Sequence, residues 1–114
     1  MAAVYVHNLV INAGSDFSQS FTLEESDTNS PLNLTSSSVE SQMRKWSGSS
    51  NAVSFYTEID DPPTSGTIIL SLTDTQTSTL KPGRYVFDVL VTDQYGTKNR
   101  LIEGMVLVRE GVTR

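Results

Sequence analysis

Tyr85, Phe87, Val89 and Val91 alternate with Val86, Asp88 and Leu90. A period of two suits an extended strand with one buried face and conflicts with the 3.6-residue repeat of an amphipathic helix. The same period returns where Phe17, Gln19, Phe21 and Leu23 alternate with Ser18, Ser20, Thr22 and Glu24. It returns again where Val53, Phe55, Thr57 and Ile59 alternate with Ser54, Tyr56 and Glu58, and Ile68, Leu70 and Leu72 make a further inward row. Between these runs stand Ala13-Gly14-Ser15-Asp16, Asp27-Thr28-Asn29-Ser30-Pro31, the loop 47–51, Asp60-Asp61-Pro62-Pro63-Thr64-Ser65-Gly66 and Asp93-Gln94-Tyr95-Gly96, all rich in turn formers. Seven or eight short strands at roughly ten-residue spacing predict a two-sheet sandwich or a barrel.

Other segments are less one-sided. Val4, Val6, Leu9 and Ile11 mark a first strand or N-terminal arm over residues 1–12, interrupted by His7-Asn8, where a bulge is expected. Leu32 and Leu34 offer a very short strand. Val39, Met43 and Trp46 fall on one helical face, but Val39, Ser41 and Met43 also alternate, and the β-rich surroundings favour a strand. Residues 74–80 provide one helical turn, crossing from sheet to sheet. In the last strand, Lys98 to Arg109, Ile102, Gly104, Val106 and Val108 share one face while Leu101, Glu103, Met105 and Leu107 share the other. Apolar residues on both faces imply that a second surface covers this strand, so Val4, Val6, Leu101, Met105 and Leu107 are the expected interface residues.

Leu80-Lys81-Pro82-Gly83-Arg84-Tyr85 has the form of a tyrosine corner, in which a phenol at the start of a strand hydrogen-bonds backbone just upstream. Leu80, Pro82, Gly83 and Tyr85 are its expected parts, and Tyr85→Phe is expected to cost roughly 1–2 kcal/mol. The corner selects the sandwich over the barrel. The expected fold is all-β: an immunoglobulin-like antiparallel two-sheet sandwich, built as a single domain over residues 1–114. The hydrophobic fraction of 37% is enough, given its regular spacing, for such a core.

Chemistry is thinly represented. There is no Cys, and the one His, His7, sits in the first strand, so a nucleophile–base pair is not expected and His7 lacks the Cys or second His of a metal set. Asp60 and Asp61 are the best calcium candidates, with solvated turn acids as the simpler reading. A net charge of −5 and eight scattered Lys and Arg residues leave no basic stripe for nucleic acid. The first dozen residues lack both the positive start of a signal peptide and the length of a membrane span. Asn33-Leu34-Thr35 matches a glycosylation sequon, a pattern too frequent by chance to carry weight alone. Trp46, Tyr56 and Tyr95 are the aromatic residues that could contact a ligand such as a surface glycan, with core or interface filling as their other use. No enzyme activity and no cofactor are expected.

The runs Gly66-Thr67-Ile68, Leu72-Thr73, Leu80 to Val89, Asp93-Gln94-Tyr95-Gly96-Thr97, Arg100-Leu101-Ile102-Glu103-Gly104 and Val112-Thr113-Arg114 resemble a known family. So do Gly14-Ser15-Asp16-Phe17 and Pro31-Leu32-Asn33-Leu34-Thr35. Together they are similar to the small Ig-like virion proteins of bacteriophages and to the N-terminal module of siphophage baseplate upper proteins. The resemblance implies a non-enzymatic structural protein of the virion, assembled in the host cytoplasm and attached in repeated copies to a tail, baseplate or capsid lattice. Its implied partners are other virion proteins and copies of itself. The alternative expectation is an adhesion module that binds a host glycan or protein through the loops 47–51, 60–66 and 93–97.

Overall fold

The computed structural model describes residues 5–25 and 30–112. Val4, Met1 and the other residues beyond these bounds lie outside the description. The strands are β1 (Tyr5–Val6), β2 (Leu9–Asn12), β3 (Phe17–Thr22), β4 (Ser38–Arg44), β5 (Ala52–Ser54), β6 (Tyr56–Ile59), β7 (Thr67–Leu72), β8 (Gly83–Thr92) and β9 (Lys98–Arg109). A short helix α1 (Asp74–Ser78) lies between β7 and β8. The larger sheet runs β1-β9-β8-β4-β5, with β2 also on β9, and the smaller runs β3-β7-β6. This order is that of an immunoglobulin-like sandwich.

The rows that alternation assigned inward form the core. Phe21, Leu70 and Ile68 from the smaller sheet meet Met43, Phe87, Val89 and Val106 from the larger, all buried. Phe55 joins them, its ring centroid 6.0 Å from Phe17 and 6.3 Å from Phe87. Burying a side chain of this size stabilises the fold by roughly 1.5–3 kcal/mol before ordering costs, so these rows are the main reason the two sheets stay together.

Four details depart from the sequence reading. First, the sandwich is not wholly antiparallel, because β1 and β2 both run parallel to β9. The interruption at His7-Asn8 adds no residue: Val6 faces Glu103 and Leu9 faces Val106, so the register is unchanged across it. The His7 N–H donates to the Glu103 carbonyl (3.0 Å), and Asn8 Oδ1 accepts from the Met105 N–H (3.3 Å). The His7 ring then packs edge-on against Phe21 of the opposite sheet at 5.0 Å.

Second, the run from Val53 to Ile59 is not one strand. Residues 52–54 pair with β4 in the larger sheet and residues 56–59 pair with β7 in the smaller. Phe55 is where the chain changes sheet. Its N–H still reaches the Ser41 carbonyl (3.0 Å), and Thr57 Oγ1 donates to the Val39 carbonyl (2.9 Å), which ties the two sheets along this edge.

Third, Leu32 and Leu34 form no strand. Pro31 makes an isolated bridge with Glu24, and the buried Leu34 closes the core from a turn, its N–H held by the Pro63 carbonyl (3.0 Å). Fourth, Leu101 does not share a face with Met105 and Leu107. Val89 pairs with Ile102 while Leu90 pairs with Arg100, so Leu101 is the extra residue of a bulge. The bulge turns both Leu101 and Ile102 inward, where they are buried. Leu101 is therefore a core residue and not part of an interface.

The crossover from β7 to β8 follows the expected plan. Thr73 caps α1 in a capping box: its hydroxyl accepts from the Gln76 N–H (3.2 Å) and Gln76 Oε1 accepts from the Thr73 N–H (2.9 Å). Beyond it, the Tyr85 hydroxyl donates to the Lys81 carbonyl (2.7 Å), which is the bond a tyrosine corner requires. Leu80 is buried beneath the corner, Pro82 is exposed, and Gly83 has a φ of 137° where a Cβ would meet Lys45 Nζ. Lys45 Nζ also sits 4.8 Å from the centre of the Tyr85 ring. Because Tyr85 is half-buried, the hydroxyl is not fully desolvated when the bond is lost. Tyr85→Phe is accordingly expected to lower stability by about 1 kcal/mol, measured as the chemical denaturation midpoint. An unmoved midpoint would remove the corner's stabilising role.

Candidate interaction surface

In β8 and β9 the outward residues stand opposite one another across the ladder. Arg84 faces Leu107, Val86 faces Met105, and Asp88 faces Glu103. β4 continues these rows, with Arg44 beside Val86 and Gln42 beside Asp88. On the other side, Val10 lies beside Leu107 and Val6 beside Glu103. Alternation along five strands thus projects one contiguous outer face on the larger sheet, and Trp46 adds its ring just beyond the end of β4.

This face gathers most of the large apolar residues that the described chain leaves in solvent. Val6 is 73% exposed, Trp46 62%, Met105 45% and Leu107 43%. Val10 and Val86 belong to the same set. Scattered single hydrophobics need no explanation, but a shared patch rimmed by polar groups marks a contact surface. Val6, Trp46, Val86 and Met105 line an open groove of about 830 Å³ together with Gln42, Arg44 and Asp88. Arg100 Nε lies 3.3 Å from Asp88 Oδ2 and holds one rim in place. Both partners are partly exposed, so the pair orients the rim more than it stabilises the fold.

Of the expected interface residues, Val6, Met105 and Leu107 are on this face, Leu101 is in the core, and Val4 lies outside the described residues. Val10, Val86, Arg44 and Arg84 join the face without having been marked by the sequence pattern. The available signal was the second row of β8, where Val86 and Leu90 are apolar in positions that alternation points away from the core.

The three aromatic ligand candidates do not converge. Trp46 is on the larger sheet, Tyr56 is exposed on the outer side of the smaller sheet, and Tyr95 is exposed at the tip of the β8–β9 hairpin. The three adhesion loops are divided as well. Ser38 pairs with Thr92 and Arg44 with Val86, which places loop 47–51 at the opposite end of β4 and β8 from loop 93–97. The 93–97 tip is held by its own Asp93, whose carboxylate accepts from the N–H groups of Tyr95 and Thr97, both at 2.9 Å.

At the calcium candidates, Asp60 Oδ1 accepts the Asp61 N–H at 3.1 Å, an intraloop use of the carboxylate. Among the described residues, no three His, Cys, Asp or Glu side chains are grouped to hold a metal ion. No described helix is long and apolar enough to cross a membrane. Arginines that are scattered in the sequence are collected by the fold: Arg44, Arg84, Arg100 and Arg109 all point outward from the larger sheet. Glu40, Asp88 and Glu103 stand among them, so the face offers no unbroken track for phosphates.

The fold and this face define an immunoglobulin-like β-sandwich with an exposed, partly apolar sheet surface. No family model and no curated protein matches the chain. Among solved structures, it is similar to an internalin-like protein of Listeria monocytogenes, with 16% identity and a TM-score of 0.44 over 95% of this chain and 28% of that one. It is also similar to the major subunit of aggregative adherence fimbriae type I of Escherichia coli, with 10% identity and a TM-score of 0.44 over 93% of this chain and 91% of that one. These likenesses concern the course of the backbone and carry no argument about function.

Proposed function

We propose that this chain is a non-enzymatic structural module of a bacteriophage virion, attached in repeated copies through the outer face of its larger sheet. The observation that carries the docking mode is the contiguous face of Val6, Val10, Val86, Met105, Leu107 and Trp46, an apolar surface with arginines at its margins. Such a surface loses free energy by being covered, at about 25 cal/mol per Å² of apolar area removed from water. The phage assignment is supported by the sequence resemblance in the turns and the corner, and attachment to a tail, baseplate or capsid is its consequence.

The test is composition. Particles assembled from the genome that encodes this chain are purified by density gradient, and the chain is sought by mass spectrometry and immunogold labelling. The chain is expected in stoichiometric amounts on the particle, and Met105→Glu with Leu107→Glu is expected to release it while leaving its thermal unfolding intact. Purified particles without the chain would overturn the assignment. Saturable binding of the isolated chain to host cells, with none in particles, would favour adhesion in its place.

A further inference from the structure

Charge is divided unequally between the two sheets. Residues 13–25 and 56–78 supply β3, β6, β7 and the turns at their ends, and they contain seven carboxylates and no Lys or Arg. The outer face of the larger sheet, here the front, carries the four arginines described above with Glu40, Asp88 and Glu103 among them. The outer face of the smaller sheet, here the back, is built of Ser18, Ser20 and Ser71 around the half-buried Ile69, with Tyr56 and Glu58 exposed along β6.

We propose that copies of this chain associate front to back, the arginine-bordered apolar face of one copy seating on the acidic, tyrosine-bearing face of the next. This deepens the structural-module reading and rests on it in taking the front to be an interface. Charge favours this pairing. The front sets four arginines against three carboxylates, a small positive excess, and the back holds carboxylates with no Lys or Arg, so back against back opposes like charges whereas front against back sets a net positive face on a negative one. Arginine is suited to this mate, since its guanidinium pairs bidentately with carboxylates and stacks on a tyrosine ring.

Size permits it as well. The molecule measures 45 × 29 × 21 Å, and with sheets about 10 Å apart the short dimension is the sandwich thickness. The remaining two dimensions span more than the roughly 800 Å² per partner of a standard interface. A front-to-back contact is heterologous, so it extends into a ring or a filament and not a closed dimer.

Sedimentation of the purified chain over a concentration series tests the pairing. Reversible association is expected, weakening at least about tenfold between about 0.05 M and about 0.5 M NaCl as complementary charges are screened. A front variant, Arg84→Gln with Met105→Ala, and a back variant, Glu58→Gln with Tyr56→Ala, alter exposed side chains. Each alone is expected to stay monomeric where the wild-type chain associates. Mixed together they are expected to form dimers and nothing larger, because only one intact front and one intact back remain. Unfolding curves check that each is folded, and single changes replace any pair that is not.

Association of the back variant equal to wild type means front-to-front contact and overturns the proposal, as does a chain that stays monomeric at low salt. A monomeric chain that is nonetheless found on particles overturns front-to-back pairing and spares the structural-module reading. Front-to-back association by a chain absent from particles supports the pairing and overturns that reading.

Discussion

Gly104→Ala is expected to destabilise the domain by about 3 kcal/mol and to loosen the N-terminal strand before anything else. A Cβ on Gly104 would overlap the His7 carbonyl oxygen and stand 2.7 Å from its carbon, both backbone atoms that no rotamer change can clear. One strand must move. β9 is held along ten register pairs by β8, whereas β1 contributes two residues, so the chain around His7 is the part that yields. Hydrogen exchange should therefore show lost protection at the amides of His7 and Met105, with the β8–β9 ladder retained. Gly48→Ala is the control: its Cβ would make ordinary contacts of 3.5 Å with the Trp46 ring, and a change below about 1 kcal/mol is expected. Equal stability of the Gly104 variant would mean that His7 does not cross over the strand as described. Because Val6 belongs to the front, the same substitution should also weaken docking.

Thr77→Val is expected to cost about 2 kcal/mol although it preserves shape. Thr77 is fully buried, and its hydroxyl accepts from the Gly14 N–H (3.1 Å) while donating to the Ser15 carbonyl (2.8 Å). One side chain thereby ties the helical turn to the β2–β3 turn, seconded by Asp16, whose carboxylate accepts from the Asp74 N–H at 2.7 Å. Valine would leave a partly buried donor and acceptor without their partner. Thr77→Ser keeps the hydroxyl and loses a methyl, so about 1 kcal/mol is expected. Urea denaturation orders the two if the slope is unchanged. A serine variant weaker than the valine variant would show that packing, and not the hydrogen bonds, holds this end together.

Three features of the fold are local and are therefore legible in the sequence. The rows through Phe21, Ile68, Phe87 and Val106 face the core because alternation is a property of the strand itself. The helical turn near 74–80 and the corner at Tyr85 rest on bonds between residues no more than four apart, the Thr73–Gln76 cap of that turn being seen only in the structure. About half of the candidate surface is visible for the same reason: Val6, Met105 and Leu107 are apolar residues at outward positions. Val86 and the arginines acquire meaning only when β4, β8 and β9 lie side by side, since neighbours across a ladder are distant in sequence.

By itself, the sequence determined most of the residues that point inward, most of the turns, and the all-β class. Tertiary structure alone decided which sheet each segment joins. At Phe55 the inward row continues unbroken from one sheet into the other, because both sheets of a sandwich present the same inner face and alternation cannot distinguish them. At Leu101 two adjacent apolar residues hide a bulge, and an insertion of one residue reverses every later side chain without any local signal. The parallel seat of β1 and β2 on β9 and the division of charge between front and back have the same origin. They depend on the order in which strands pair, which arises from packing the whole chain at once.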